Sequence, residues 1–500
     1  MSKICLCLNA KTLAQNLALI EKYRSYIDIA ELRADCLFNE EHEFVRRFPE
    51  LAGIPIILTV RRKIDGGFFE RGEAARIVLL SKALAFAQAD MRKNFAYVDL
   101  EEDLDTPSLE EVARAFGTRI IRSFHNFKET DAALENRVNA LFRVGDEIAK
   151  AALMPQSLDD VRRIIRVAKS IKNHDAIILG MGDMGQCTRI LAPRFGGYLS
   201  YTSPGTDDRT SGAAPGQLNP VELCNVYRFR EMNVNTQIYG ITGYPLTTTA
   251  SPEFHNKVYM REKLNAVYLR FPAATIGEFM RLADELELSG ASITVPHKES
   301  VIDYLSSVSE AARYVGACNT IIRMPRGWHG CNTDAPGFSD SLLNLIKRKN
   351  LKGRKALIIG AGGAARAVAA ELCRLGAKAL VLNRNILRAK RLADRFNFEY
   401  GSLEAETEVR VKKFADIIVQ TTSLGMAPDI NDDPFPQYSF TGNEVVIDII
   451  YKPEITIFLS RALAAGCTAI NGYDMLQRQA EYQFCRFFDC EFPKEVRVKE

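Results

Sequence analysis

The 500-residue sequence has no C-x-x-C pair among its 11 cysteines, no metal-ligand spacing among its six histidines, no dense lysine or arginine block and no uncharged apolar run approaching membrane length. Each absence removes a class of protein. An odd number of scattered cysteines speaks against a disulfide framework and for reduced thiols. Histidines at 42, 125, 174, 255, 297 and 329 offer no zinc site, so no metal is expected. With 65 basic against 62 acidic residues, a net charge of +3, nothing in the chain tracks a phosphate backbone, and nucleic acid is not an expected partner. The opening MSKICLCLNA enters a strand pattern at once, leaving no room for a signal or transit peptide. The expectation is a cytoplasmic protein without a membrane partner.

What is present is order. A chain of this length suggests roughly two or three domains. Short apolar segments rich in β-branched residues recur at 4–9, 26–33, 54–61, 95–101, 119–125, 147–153, 176–182 and 198–203, and stretches such as 72–91 and 158–172 between them carry apolar residues at helical spacing. Eight strands alternating with helices predict a (β/α)8 barrel, with a doubly wound open sheet as the alternative. Cys5 and Cys7 then share one face of the first strand.

A barrel places its reactive groups at the carboxyl ends of its strands. Glu31, Arg33 and Asp35 close the second strand, Arg61 and Arg62 the third, and Arg122 and His125 the fifth. Lys150 lies on the sixth, within GDEIAKAALMPQS, and Arg189 follows the seventh. An inward lysine must be paired or neutral, and its apolar flanks suggest desolvation toward a neutral amine. A histidine, a lysine and several arginines on one mouth suggest a base, an amine nucleophile and a seat for an anion. Any one arginine alone is more often structural, and His125 alone fits a non-catalytic role as well.

The segments ELRAD (31–35), LTVRRKIDGG (58–67), RSFHNF (122–127), EIAKAALMP (147–155), GMGDMGQCTR (180–189) and AAPGQ (213–217) resemble, in order, the motifs of type I 3-dehydroquinate dehydratase. The resemblance covers about residues 1–225 and implies that Lys150 forms an iminium with the substrate ketone. It implies further that His125 moves the proton, Glu31 orients this region, Arg33, Arg61 and Arg189 hold carboxylate and hydroxyls, and Gln217 closes over the substrate. Two positions depart from the family: Ala213 stands where a hydroxyl is usual, and Asp65 where a glutamate is common.

Only NVNT (233–236) separates the barrel's last helical segment from a new strand at 237–243, and four residues span at most roughly 14 Å. Residues 354–384 then read strand, glycine turn, helix, strand. Gly360, Gly362 and Ala365, with Ala361, Gly363 and Ala364 between them, form a G-x-G-x-x-A fingerprint whose helix start offers free N–H groups to a pyrophosphate. The second strand ends on Asn383 and Arg384, with Arg388 after, where a ribose-binding acid would select NAD, so NADP(H) is the expected cofactor.

Together with YPLTTTASPEFHN (244–256), GASITVPHKE (290–299), GACNT (316–320), GCNTD (330–334), QTTSLGM (420–426), VVIDIIYKPEIT (445–456) and GYDMLQRQAEYQF (472–484), this turn resembles shikimate dehydrogenase over roughly 237–490. The resemblance implies Lys298 and Asp334 as the catalytic pair. It implies Thr249, Ser251, Thr294, Asn319, Tyr451 and Gln479 as substrate contacts, and Thr422 and Gly472 beside the cofactor. Thr248, Thr249 and Ser292 replace a histidine, a serine and an asparagine usual in the family, which bears on shikimate against quinate.

The fused order is chemically meaningful, because the barrel's product, 3-dehydroshikimate, is the dehydrogenase's substrate. The expected organisation is a barrel over 1–232, a substrate lobe over 237–335, a Rossmann NADP lobe over 336–470 and a returning helix over 471–500. The expected function is dehydration of 3-dehydroquinate followed by NADPH-dependent reduction to shikimate, in aromatic amino-acid biosynthesis. The alternatives are another Schiff-base barrel fused to a quinate-type dehydrogenase, and a non-catalytic NADP(H) sensor.

Overall fold

The computed structural model describes residues 2–85, 90–144, 146–205, 214–246, 249–404 and 408–493, so Ala213 and Thr248 lie outside the described residues. Backbone proximity divides the chain into two compact units, one of residues 1–240 with 245–288 and one of 241–244 with 289–500. Among the described residues no helix is long and apolar enough to cross a membrane.

In the first unit, β1 (Lys3–Leu8), β2 (Ile29–Arg33), β3 (Ile56–Thr59), β4 (Tyr97–Glu101), β5 (Arg119–Asn126), β6 (Ile148–Leu153), β7 (Ala176–Gly180) and β8 (Leu199–Thr202) form one parallel sheet. Its order is β7-β6-β5-β4-β3-β2-β1-β8, so the first strand pairs with the last. An open doubly wound sheet has no such pairing. At the remaining seam, Tyr198 N donates to Ala176 O at 2.8 Å.

The two-residue side-chain period sorts each strand into an inner and an outer face. Cys5, Cys7, Ile29, Ile57, Tyr97, Ile121, Ile148, Ala152, Ile177, Leu179, Leu199 and Tyr201 fill the interior cluster. Ala149, Ala151 and Leu153 instead join an outer layer with Phe124, Leu134, Val138 and Ile164. The same period turns Arg122 out of the barrel: it donates to Glu147 Oε1 at 3.1 Å and to Glu110 Oε1 at 2.8 Å, and Glu110 lies on the helix Pro107–Ala115. Arg122 therefore does not belong with the cations of the barrel mouth, because it is one residue out of phase with Ser123 and His125.

β9 (Gln237–Gly243) begins in the first unit, which also holds β10 (Ala266–Pro272) and the helices Ser251–Arg261 and Ile276–Glu285. Glu278 completes a capping box with Thr275 and also accepts from Leu158 N at 2.9 Å, at the start of the helix Leu158–Ser170 that follows β6. One carboxylate thus satisfies open N–H groups of two helices.

The second unit contains β11 (Gly290–Ile293), β12 (Ser307–Val308), β13 (Thr320–Met324) and β14 (Gly327–Cys331), with β13 antiparallel to both β11 and β14. It continues with β15 (Lys355–Ile359), β16 (Lys378–Asn383), β17 (Glu399–Ser402), β18 (Ile417–Gln420), β19 (Val445–Asp448) and β20 (Thr468–Ile470), all parallel in the order β17-β16-β15-β18-β19-β20. Strand order reverses between β15 and β18, and a doubly wound sheet binds its ligand at that crevice. The closing helix Tyr473–Phe488 packs on the helix Asp334–Ile346, with Tyr482 OH donating to Asp340 Oδ2 at 2.6 Å.

At the end of β19, burial pushes the Asp448 carboxyl up to about 6 against hydrogen bonds from Thr456 Oγ1 (2.6 Å) and Ile450 N (3.0 Å). A carboxyl whose folded pKa is raised favours folding while protonated. That contribution is lost as pH rises from the unfolded value near 4 through 6. Asp448→Asn, which never ionises, is expected to out-melt the wild-type protein by a margin that widens between pH 4 and 7 and is flat above, worth roughly 3 kcal/mol at most. Thermal melts across this range check it, and a margin independent of pH would contradict it.

Candidate active sites

Register brings the barrel's polar residues together. Thr59 is opposite Asp99, and Ser123 is opposite Lys150. Glu31, Arg61, Asp99, Ser123, His125 and Lys150 all share the phase of the interior residues on their strands. Lys150 Nζ donates to Asp99 Oδ2 at 2.7 Å and to Glu31 Oε1 at 3.4 Å, and lies 4.3 Å from the ring centre of Tyr201. The apolar neighbours Ala149 and Ala151 that flank this lysine in sequence face outward, so acids rather than alanines meet its amine. Of the two expectations, paired or neutral, the pairing is what the structure shows, and the apolar flanks are not what the amine meets.

Asp99 also accepts from Arg61 Nη2 at 2.9 Å and from Ser123 Oγ at 2.5 Å. Burial raises its carboxyl, but the Arg61 and Lys150 cations outweigh burial and hold it far below the usual carboxylate range. Arg61 completes its pairing with Glu101 at 2.7 Å. Arg33 grips Asp35 in two-point fashion, at 3.0 and 2.8 Å. Asp65 accepts from Arg62 Nε at 2.6 Å.

His125 is half-buried with its Nδ1 enclosed, and desolvation with the nearby Arg61 and Lys150 cations drives its pKa well below 6.5, so the ring is neutral at neutral pH. Burial also brings Arg189 down to about 10. Gln217 Nε2 donates to Cys7 Sγ at 3.4 Å, and Cys7 Sγ donates to Glu31 Oε2 at 3.4 Å. Among the described residues, His125 Nδ1, Arg189 Nε, Gln217 Oε1 and Tyr201 OH are buried without hydrogen-bond partners. Buried polar atoms left open are costly unless something polar occupies the space they face.

In the second unit, Lys298 Nζ donates to Asp334 Oδ2 at 2.6 Å. Asp334 is the first residue of its helix, where a carboxylate is favoured by the helix dipole. Asn319 Nδ2 donates to Asp334 Oδ1 at 2.8 Å and to Gln479 Oε1 at 3.4 Å, while its Oδ1 accepts from Thr333 N at 2.7 Å. Ser292 Oγ donates to Gln483 Oε1 at 2.8 Å. Thr294 N donates to Thr242 O at 2.9 Å, which fixes the strand end leading to Lys298. Tyr451 follows β19 and is half-buried. Thr249 and Ser251 belong to the first unit, where Thr249 Oγ1 donates to Ser251 Oγ at 3.2 Å.

The glycine turn after β15 meets the demands of a dinucleotide. Gly360 has φ +110°, with Thr421 Oγ1 2.5 Å from where a Cβ would stand. At Gly362 an added Cβ would meet nothing within 4 Å, so the backbone there is open to an approaching phosphate. The methylenes of Lys298 lie 3.0 Å from a Cβ placed on Gly363, at the start of the helix Gly363–Arg374. Lys298 and the glycine turn are thus in contact. Ala361 and Ala364 are half-buried beside it, and Asn383 closes β16 with Arg384 and Arg388 exposed beyond. Thr422 Oγ1 accepts from Leu424 N at 3.3 Å. Gly472 is required by close approach, since a Cβ there would sit 2.0 Å from Ile449 O. These residues fit NADP(H).

Sequence reasoning passed over Asp99, Ser123, Glu101 and Tyr201. The signal for the two acids was available in FAYVDLE, where they alternate at the carboxyl end of β4 in phase with an inward Tyr97.

A barrel carrying an inward lysine among acids, in one chain with a Rossmann-type sheet and a lysine–aspartate pair at its glycine turn, defines a two-activity enzyme, a lyase and a nicotinamide-dependent oxidoreductase. Three family descriptions match the chain: type I 3-dehydroquinase over residues 4–234, shikimate dehydrogenase substrate binding domain over 241–321, and shikimate/quinate 5-dehydrogenase over 343–449. The chain belongs to the bifunctional type I 3-dehydroquinate dehydratase/shikimate dehydrogenase family.

It is similar to the chloroplastic bifunctional 3-dehydroquinate dehydratase/shikimate dehydrogenase of Arabidopsis thaliana, 29% identical over 94% of this chain and 79% of that one. The shikimate biosynthesis protein AroDE of Chlamydia pneumoniae is 27% identical over 97% of this chain and 95% of its own. The shikimate dehydrogenase (NADP(+)) of Caldanaerobacter subterraneus is 36% identical over 52% of this chain and 96% of its own. That relative's name gives NADP(+) as its cofactor.

Proposed function

We propose that Lys150 attacks the ketone carbon of 3-dehydroquinate, expels the ketone oxygen as water and forms an iminium that acidifies the neighbouring carbon. His125, half-buried and neutral, takes that carbon's proton and returns a proton to the departing hydroxyl. Hydrolysis of the imine then releases 3-dehydroshikimate. The observation that carries this reading is Lys150 Nζ standing 2.7 Å from Asp99 and 3.4 Å from Glu31 inside a barrel whose half-buried His125 is held neutral. Arg189 Nε and Gln217 Oε1, both open, offer polar contacts for the substrate's carboxylate and hydroxyls, and Arg33 and Arg61 supply further positive charge.

In the dehydrogenase, bound NADPH supplies hydride. Lys298 then provides the proton for the resulting hydroxyl and Asp334 fixes and shares its charge. Thr249, Ser251, Thr294, Asn319, Tyr451 and Gln479 hold the ring substituents. Gly360 to Ala364, Thr422 and Gly472 seat the dinucleotide, and Asn383, Arg384 and Arg388 receive the 2′-phosphate. We assign 1–232 to the dehydratase, 237–335 to the substrate lobe, 336–470 to the NADP lobe and 471–500 to the returning segment. Eleven free cysteines suit a reducing cytoplasm.

The test supplies 3-dehydroquinate and NADPH together to the purified full chain. NADPH is expected to be oxidised, with shikimate as product and NADH at least tenfold poorer. Oxidation from 3-dehydroshikimate but not from 3-dehydroquinate would defeat the dehydratase reading. Failure from both would favour an NADP(H) sensor, and a higher rate of NADP reduction with quinate than with shikimate would reassign the second substrate.

A further inference from the structure

The acid nearest the amine of Lys150 is not Glu31 but Asp99, at 2.7 Å against 3.4 Å. Its carboxylate is fully buried and both oxygens are engaged, Oδ2 by Lys150 and Oδ1 by Arg61 and Ser123. A carboxylate held by a guanidinium and a hydroxyl on one side keeps its charge and its direction, so it is poorly suited to accept a proton and well suited to stabilise a fixed cation. The charge beside it persists through imine formation. The ammonium gives up a proton so that the amine can attack, and when the ketone oxygen leaves as water the nitrogen carries a positive charge again. The Tyr201 ring, 4.3 Å from Nζ, presents a second surface that favours a cation.

We propose that Asp99 is the permanent counter-ion of the Lys150 nitrogen, pairing first with the ammonium and then with the substrate iminium, and that it takes no proton during the cycle. This rests on the reading of Lys150 as the imine-forming residue. The carboxylate lowers the energy of the electron sink, while Arg61, by sharing it, limits how strongly it holds the resting ammonium.

The experiment compares the wild-type full chain with Asp99→Asn in the pH dependence of kcat/KM for dehydration and in borohydride trapping with 3-dehydroquinate. Removing the negative charge should move the acid limb downward, because a carboxylate 2.7 Å from the nitrogen no longer favours the cationic site. It should also lower plateau kcat by about tenfold or more, because the iminium is less stabilised. A fall in kcat with the limb unmoved would mean a structural role and overturn the proposal, as would wild-type behaviour in both. If Asp99→Asn does not fold, Ser123→Ala is read instead. Losing a donor to Asp99 should strengthen its hold on the ammonium and move the limb up by a few tenths of a unit, and an unmoved limb would overturn the proposal. No adduct at Lys150 in the wild-type chain would defeat the imine reading itself, which keeps the two failures distinct.

Discussion

Lys150→Ala is expected to abolish dehydration of 3-dehydroquinate, by at least about 10⁴-fold in kcat, and to leave reduction of 3-dehydroshikimate by NADPH within twofold of wild type. Nothing else in the barrel can substitute. Without the amine no iminium forms, and a base acting on an unactivated ketone must remove a much less acidic proton. Of the other cations at the mouth, Arg33 and Arg61 are locked onto carboxylates, and Arg189, whose Nε is open, carries a guanidinium that forms no imine. The second activity is spared because its lysine, aspartate and glycine turn all belong to the other compact unit. Two stopped assays, one started from each ketone, separate these effects, and residual dehydration above about one part in a hundred would sink the covalent mechanism. His125→Ala sharpens the result. It should lose about 10²–10⁴-fold in kcat yet still trap substrate on Lys150 with borohydride, because imine formation precedes the proton transfer it serves.

The fold was readable because barrel strands announce themselves locally. Six of the eight segments proposed from β-branched runs contain the observed strands, while β1 starts one residue before its segment and β5 ends one residue after, and the closure that chooses barrel over open sheet follows from one pairing, β1 with β8, joining residues almost 200 positions apart. That pairing has no local signature. The site was legible in residue type and less so in phase. Lys150 and His125 stand out because a lysine among alanines and a histidine at a strand end are locally odd. Arg122 stands out equally and is misleading, since one step along a strand reverses the face. Asp99 went unnoticed for the converse reason. An acid near a strand end resembles a surface residue until the register places Lys150, Arg61 and Ser123 around it. In the dehydrogenase the glycine turn gave the cofactor, because its geometry is set by residues adjacent in sequence. The contact of the Lys298 methylenes with Gly363 spans 65 positions and belongs to the tertiary structure alone.

That contact decides how the second large effect should be measured. Lys298→Met is expected to reduce both shikimate oxidation and 3-dehydroshikimate reduction by about 10²–10⁴-fold in kcat, with NADP affinity within about threefold of wild type and dehydration unchanged. Methionine keeps an unbranched chain over Gly363, so the start of the helix Gly363–Arg374 retains its cover and the open backbone at Gly362 retains its shape. Only the ammonium is removed, and with it the proton donor held 2.6 Å from Asp334. Alanine at the same position would also uncover the glycine turn and mix a cofactor effect with the chemical one. Asp334→Asn tests the partner. Asn319 already donates to one carboxylate oxygen at 2.8 Å, so an asparagine that keeps that contact must turn its amide N–H₂ toward the Lys298 ammonium. Two donors facing one another displace the lysine, and kcat should fall at least tenfold with little change in NADP affinity. Steady-state rates in both directions, with NADP binding followed by fluorescence titration, provide the readout. Lys298→Met retaining more than a tenth of wild-type kcat would mean that the proton comes from elsewhere, and equal losses in kcat and NADP affinity would mean that the lysine serves the cofactor rather than the substrate.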